Sequence, residues 1–170
     1  RDGGLERSQV ELLKAVRYEL DHGSERPPIP PGNKAYRKPA RLLSLDGSHT
    51  LEVNSQVHHP WLGVDGKMDT IAQAAGEWPW TYEVDMVDTL SVQRVKITFG
   101  IGYATVFEVK VSEDGINWRT ITRQDNYQGQ PLDISFDAIP VRYVRVCGIK
   151  PDGEKQPGTQ MSISEIEVYE

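Results

Sequence analysis

The sequence contains one cysteine, Cys147, so no disulfide can form within the chain. It contains no long uninterrupted run of apolar residues, which argues against a membrane-spanning helix. It also lacks an excess of positive charge: 19 basic residues stand against 25 acidic ones, and the net charge is -6. This balance argues against nucleic acids and anionic membranes as partners. At 170 residues the chain has the length of one domain with an appendage.

Sequence motifs of common enzyme classes are missing as well. There is no His-Glu-x-x-His, no Gly-x-Ser-x-Gly and no phosphate-binding loop. The adjacent pair His58 and His59 would point to opposite faces of a strand, which makes shared metal ligation awkward. We therefore predict a domain without catalytic activity.

The clearest pattern that is present lies in residues 106–121. Apolar and polar residues alternate there with a period of two, which indicates a strand with one buried face. Asp114-Gly115 then marks a tight turn, and a second alternating run begins at Trp118. We predict a β-hairpin whose buried side carries Phe107, Val109, Val111 and Trp118.

Further short runs rich in apolar residues occur along the chain. They are separated by turn residues, and we interpret them as strands at Trp80–Met86, Ser91–Phe99, Leu132–Phe136, Val141–Ile149 and Ser162–Tyr169. Many short strands with few helices favour an all-β, antiparallel β-sandwich of the jelly-roll type over residues 33–170.

The first 32 residues differ from this β-rich part. Ser8 and Glu11 form a capping box before a helix predicted over Ser8–Leu20. Its apolar stripe, with Val10 and Leu13 at its start, is expected to bury against protein. The proline-rich stretch 25–32 is typical of an extended linker. We predict a helix and linker that join the β domain to neighbouring domains of a larger protein.

Several motifs in the β-rich part resemble one known family. They occur in this order: Asn33 through Lys38-Pro39-Ala40, Val64-Asp65-Gly66 with Thr70, Trp80 with Val84-Asp85-Met86, Ser112-x-Asp114-Gly115-x-Asn117-Trp118, and Ser164-Glu165. Together they resemble the discoidin domains, or coagulation-factor C-type domains, of the galactose-binding-like superfamily. Because the chain cannot form the disulfide of many animal members, bacterial carbohydrate-binding modules are the better comparison. The resemblance covers residues 33–170 and implies the same β-sandwich fold.

The resemblance also implies a structural calcium ion. Its oxygen ligands would be carbonyls and carboxylates of Leu62, Asp65, Lys67, Thr70, Ser164 and Glu165, and such hard oxygens suit calcium. Lys67 departs from the family pattern, because asparagine is usual there. The alternative is an ordinary Asp-Gly turn in which the Lys67 ammonium replaces the ion.

In the related modules, sugars bind to loops at one end of the sandwich. The matching loops carry aromatic, imidazole and amide groups at His49, His58, His59, Trp78, Tyr103, Asn126 and Tyr127. Aromatic rings stack on sugar faces, and polar groups bond the hydroxyls. Trp78 is the best aromatic candidate. The loop Gly100–Ala104 is shorter than in many sugar binders and lacks their arginine.

The leading interpretation is a non-catalytic carbohydrate-binding module of a larger, secreted bacterial protein. It would lie in an extracellular or periplasmic location and attach its parent protein to a glycan or polysaccharide. The alternative is a structural or protein-contact accessory domain with a degenerate ligand site.

Overall fold

The computed structural model describes Val10 and residues 12–14, 32–52, 58–75, 79–151 and 160–170. The described part of the β domain consists of antiparallel strands and one short 3₁₀ helix, Pro60–Gly63. The strands are β1 (Ala40–Ser44), β2 (Trp80–Phe99), β3 (Val106–Ser112), β4 (Arg119–Gln124), β5 (Leu132–Lys150) and β6 (Ile163–Tyr169). The predicted all-β, antiparallel sandwich is confirmed.

Two long strands, β2 and β5, form the centre of the fold. Each runs through two segments that the sequence predicts as separate strands, and β5 continues through Pro140. Their pairing runs from Trp80 opposite Gly148 to Ile97 opposite Leu132, with a break in register after Asp85. Both halves of β2 bury side chains in one core. The two halves of the paired strands therefore contribute to the same core of the sandwich.

The strand order brings several chain segments to the same end of the molecule. The order is β1-β2-β5-β3-β4, and β6 pairs with the second half of β2. The start of β2 therefore lies beside the ends of β1 and β5, and the start of β3 lies beside the ends of β4 and β5. The start of β6 pairs with the end of β2 at Ile163 and Phe99. The loops that leave these strand ends form the candidate site described below.

The core confirms most of the predicted buried face of the hairpin. Trp80, Phe107, Val109 and Val111 are almost fully buried. Phe99 and Phe107 make an edge contact with ring centroids 5.2 Å apart. These apolar side chains join the two layers and stabilise the end of the sandwich from which the loops leave.

The prediction that Trp118 belongs to the same buried face is wrong. Its indole lies on the outer face of the sheet, 3.9 Å from the Cζ atom of Arg145. The cause is a shift in the β3–β4 register, where Val109 pairs with Thr122 but Lys110 pairs with Thr120. One extra residue in β4 reverses the alternation of inward and outward side chains. The bulge therefore moves Trp118 from the core face to the outer face.

The outer face also carries a buried carboxylate between two arginines. Glu83 is 2% exposed and accepts hydrogen bonds from Arg41 and from Arg145 Nε, the latter at 2.8 Å. These contacts join β1, β2 and β5 across the sheet. Arg145 thus links the charged cluster to the indole of Trp118.

The N-terminal helix is described only in part. Val10 and residues 12–14 are helical, and the side chains of Val10 and Leu13 are 47% and 69% exposed. The predicted burial of this stripe is therefore not found for these two residues within a single chain. The rest of Ser8–Leu20 and the linker residues 25–31 lie outside the described residues. A helix with the length and hydropathy of a membrane span is not found in the described part of the chain.

Candidate functional site

A cluster of oxygen atoms surrounds the hydroxyl of Thr70. Gly66 has a left-handed backbone with φ of 79°, which glycine adopts without steric cost. The turn lets the Lys67 amide donate to Asp65 Oδ1 at 2.9 Å. Thr70 Oγ1 donates to Asp65 Oδ2 at 2.7 Å and lies 3.4 Å from the Leu62 carbonyl and 3.5 Å from that of Lys67. One carboxylate, one hydroxyl and two carbonyls therefore converge at this turn.

The last strand completes this cluster from the other end of the domain. Glu165 Oε2 accepts a hydrogen bond from the Gly66 amide at 2.8 Å. Ser164 Oγ donates to the Met68 carbonyl at 2.6 Å. Ser164 is the extra residue where the β2–β6 register shifts, because Thr98 pairs with Glu165 but Phe99 pairs with Ile163. The residues that the resemblance implies as calcium ligands thus lie together; we call them the carboxyl site.

Burial dominates the electrostatics of the carboxyl site. Burial, with the negative charge of Asp65 nearby, raises the pKa of Glu165 to about 9. Burial also raises the pKa of Asp65 to about 6, against smaller lowering effects from Thr70 and from the amide and ammonium of Lys67. Glu165 Oε1 is buried and has no hydrogen-bond partner among the described residues. Two buried carboxyl groups close together are costly to ionise, and the Lys67 ammonium offsets only part of that cost for Asp65.

This arrangement fits a calcium ion. The donors are hard oxygens from carboxylates, carbonyls and a hydroxyl, which is the ligand set that calcium prefers. The unpartnered Glu165 Oε1 is the kind of atom that a cation would satisfy. Within the described ranges, no three His, Cys, Asp or Glu side chains form a cluster that could hold a metal. Any ion here would therefore depend on backbone carbonyls as well as on side chains.

A second group of loops surrounds the strand ends. We call it the strand-end rim, and it consists of residues 58–60, 71–75, 100–105, 125–131 and 160–162. Gln73 joins two of the loops, because its amide donates to the His58 carbonyl at 3.3 Å and its Nε2 to the Gln160 carbonyl at 3.0 Å. The Tyr127 amide donates to the Thr105 carbonyl at 2.8 Å. The Gly100 amide donates to the Ser162 carbonyl at 2.9 Å, so hydrogen bonds connect all the loops of the rim.

The rim contains several of the predicted sugar-binding residues. Tyr103 is partly exposed, and its ring packs on Gly129, where an added Cβ would lie 2.5 Å from ring atom Cδ1. Asn126 is exposed in a left-handed turn with φ of 55°. The ring of His59 stacks on Trp61 with centroids 4.0 Å apart. His49 is exposed in the loop after β1, where its amide donates to Ser44 Oγ at 3.1 Å.

The structure disagrees with a sugar-binding role for Tyr127. Its side chain is 5% exposed, and its ring meets Phe107 edge to face at 5.0 Å. Its hydroxyl donates to the Gln130 carbonyl. The Tyr127 ring contacts both Phe99 and Phe107 and so covers the end of the core at this loop. Trp78 lies outside the described residues, so its role stays a prediction.

Sequence reasoning missed Ile101 and the glutamines of the rim. Ile101 is 85% exposed, the largest exposed fraction among the large hydrophobic residues described. It lies between Gly100 and Gly102. An isoleucine between two glycines in a loop is a sequence signal that could have indicated an exposed apolar residue. Gln73 and Gln160 carried no sequence signal, because their roles depend on loops that are 87 residues apart.

Comparisons with known proteins agree with this architecture. The family model of F5/F8 type C domains, described as NedA-like, galactose-binding domain, matches residues 62–146, which is half of the chain. Chitosan-binding module 1 of a chitosanase/glucanase from Paenibacillus sp. IK-5 is 28% identical, with a TM-score of 0.68 over 81% of this chain and 98% of that one. No curated protein sequence matches the chain.

Two further solved structures extend the comparison. Chitosan-binding module 2 of the same Paenibacillus enzyme, in complex with chitotriose, is 28% identical, with a TM-score of 0.67 over 81% of this chain and all of that one (100%). The Clostridium perfringens module CpGH89CBM32-5, in complex with GalNAc-β-1,3-galactose, is 20% identical, with a TM-score of 0.61. The match covers 77% of this chain and 94% of the Clostridium chain. An identity of 20% supports only a shared fold.

The carboxyl site predicts an unusual pH dependence for the metal-free protein. The folded-state pKa values of Asp65 and Glu165, about 6 and about 9, lie above the ordinary values of 3.8 and 4.5 for these groups. Their contribution to stability is therefore fully present below pH 3.8 and is lost as the pH rises through about 6 and then about 9. In excess chelator, urea unfolding should show that the wild type loses stability relative to Glu165→Gln between pH 6 and pH 9. Parallel pH profiles for the two proteins would contradict this.

Proposed function

The chain belongs to the F5/F8 type C family of NedA-like, galactose-binding domains, and we propose that it is a non-catalytic carbohydrate-binding module. It attaches a larger protein to a glycan. The observation that carries the proposal is the likeness to two chitosan-binding modules at 28% identity over 81% of the chain. Chitosan and its oligomers are therefore the first ligand class to test.

The strand-end rim supplies the groups that such a module needs. Tyr103 offers a partly exposed aromatic ring that packs on the backbone of Gly129. His58, Asn126 and Gln128 add imidazole and amide groups. An aromatic ring can stack on the apolar face of a sugar, while the polar groups bond its hydroxyls. The loops are connected by hydrogen bonds, which limits the ordering cost of binding.

We predict that Tyr103→Ala weakens binding to chitotriose and to chitosan. The expected loss is about 1–3 kcal/mol, by analogy with the stacking of aromatic rings on bases. Trp78→Ala should have a similar effect. Isothermal titration and affinity electrophoresis would measure both. Trp118→Ala is the matched control, because Trp118 lies on the outer face against Arg145. Unchanged affinity in both Tyr103→Ala and Trp78→Ala would place the binding site elsewhere.

We also propose that the carboxyl site holds a structural calcium ion. Asp65 and Glu165 would supply carboxylate oxygens, Thr70 its hydroxyl and carbonyl, and Leu62, Lys67 and Ser164 their carbonyls. When bound, the ion supplies positive charge that offsets the cost of burying two carboxylates. It would also connect the early loop to the last strand, which come from opposite ends of the domain sequence.

This proposal predicts a calcium-dependent melting temperature. Metal that binds only the folded state stabilises it by about 2.7 kcal/mol at a hundredfold excess over Kd. Chelation should lower the melting temperature, and calcium should restore it better than magnesium, which demands tighter octahedral geometry. Asp65→Ala and Glu165→Ala should each remove the response, whereas Asp133→Ala, in an exposed ion pair with Arg94, should keep it. Identical melting with calcium and with chelator would mean that the loop is an ordinary turn.

The absence of catalysis and the location of the module belong to the same proposal. The chain lacks the sequence motifs of common hydrolases, and the related modules named above bind sugars. We propose that the protein works outside the cytoplasm, in an extracellular or periplasmic setting, where polysaccharides are accessible. Its partners would be a glycan and the neighbouring domains of its parent protein.

One observation favours the second candidate, a protein-contact accessory domain. Val10 and Leu13 are apolar, lie in a helical segment and are 47% and 69% exposed in the single chain. Apolar residues on one helix face usually pack against a partner. Binding of a neighbouring domain that Leu13→Ser abolishes, together with no binding across a glycan panel, would favour this candidate over the carbohydrate-binding module.

A further inference from the structure

Ile101 is an exposed apolar side chain on a firmly held loop. The amides of Gly100 and Gly102 donate to the Ser162 carbonyl at 2.9 Å and to Ser162 Oγ at 3.0 Å. In return, the Ser162 amide and hydroxyl both donate to the Gly102 carbonyl at 3.0 Å. Ser162 is fully buried. The loop therefore presents Ile101 to solvent in a fixed position, and the 85% exposure of that side chain is not a result of a loose chain end.

The backbone around Ile101 is closely packed as well. A Cβ added to Gly100 would lie 2.5 Å from Ile71 Cγ2 and 2.7 Å from Ser162 Oγ. Two residues after Ile101, Tyr103 packs on Gly129 of the neighbouring loop. Ile101 thus lies in the same loop as the Tyr103 ring that the proposed function uses for stacking, two residues before it.

The rim segments beside Ile101 carry no charged side chain. This holds for residues 71–75, 100–105, 126–131 and 160–162. Asp125, at the edge of the rim, already pairs with Arg123 at 3.3 Å. Instead of charges, the segments carry carboxamide groups, at Gln73, Asn126, Gln128, Gln130 and Gln160.

One of these carboxamides is buried without a full set of partners. Gln160 is 8% exposed, and its Oε1 has no hydrogen-bond partner among the described residues. Its main-chain carbonyl accepts from Gln73 Nε2 at 3.0 Å. The rim therefore combines an exposed apolar group with amide donors and acceptors, including one acceptor with unused capacity.

This combination distinguishes between the two common forms of a 2-amino sugar. A free amine is protonated in mildly acidic solution, and placing that charge against an isoleucine without a carboxylate partner is unfavourable. An acetamido group is neutral and ends in a methyl group that Ile101 can cover. Its N–H and C=O match the carboxamide groups of asparagine and glutamine.

We propose that Ile101 determines specificity by packing against the acetamido methyl of an N-acetylated hexosamine unit. The inference rests on the proposed function, because it names the sugar units that the strand-end rim selects. Among chitosan-type polymers, the module then binds acetylated segments in preference to segments of free glucosamine.

Two oligosaccharides test this proposal directly. Fully N-acetylated chitotriose and its free-amine form, chitotriose, are titrated into the protein by calorimetry at a pH where the amine is protonated. The wild type should bind the acetylated trimer more tightly, and Ile101→Ser should reduce its affinity for that trimer about four- to fifteenfold, which is the effect of exposing one or two methyl groups. The affinity of Ile101→Ser for the free-amine trimer should stay close to that of the wild type.

Ile116→Ser is the matched control. Ile116 is 81% exposed in the turn between β3 and β4, away from the rim. It should keep the wild-type preference, and unchanged melting temperatures would show that both variants fold. A wild type that prefers the free-amine trimer, or an Ile101→Ser variant that keeps the preference for the acetylated one, would overturn the proposal while leaving carbohydrate binding in place. No binding of the wild type to either trimer or to a wider glycan panel would overturn both.

Discussion

The buried carboxyl group of Glu165 links the last strand to the first part of the β domain. Its Oε2 accepts a hydrogen bond from the Gly66 amide across a sequence separation of 99 residues. The neighbouring Ser164 Oγ donates a second hydrogen bond, to the Met68 carbonyl. The same region is tightly packed, because a Cβ on Gly63 would lie 2.5 Å from the Tyr82 hydroxyl. A buried carboxyl group cannot be placed there at low cost unless it is protonated or paired with a cation.

The position of this strand also determines the shape of the strand-end rim. Ile163 pairs with Ala72, and Ser162 holds Gly100 and Gly102 on either side of Ile101. These contacts lie within three residues of Glu165. Whatever stabilises the carboxyl site therefore also orders the loops that are proposed to bind sugar. The carboxyl site and the proposed sugar-binding loops therefore share contacts with the same short segment of β6 and the residues before it.

Local patterns predicted the parts of the fold that depend on local geometry. Alternation placed Phe107, Val109 and Val111 in the core correctly, but it could not reveal the bulge that moves Trp118 to the outer face. Tyr127 looked like a loop residue, and only the contacts with Phe99 and Phe107 show that it closes the core. Whether such residues are buried or exposed depends on contacts between distant parts of the chain. Those contacts cannot be inferred from a single sequence.

The resemblance to a known family supplied what the patterns could not. It gathered Asp65, Thr70 and Glu165 into one site, and the structure brings these residues together. It did not single out Ile101 or the glutamines, because these residues lie outside the motifs that carry the resemblance. The carboxyl site could thus be anticipated from sequence, whereas the composition of the rim required the structure.

The central claim is that a glycan binds at the strand-end rim. An amide-resolved NMR titration of isotope-labelled protein with chitotriose and with its N-acetylated form tests it most directly. If a glycan binds at the rim, the largest shifts should fall in residues 71–75, 100–105, 126–131 and 160–162, with little change in the turn 113–117. Shifts concentrated in that turn or on the outer face around Trp118, with none in the rim, would contradict it.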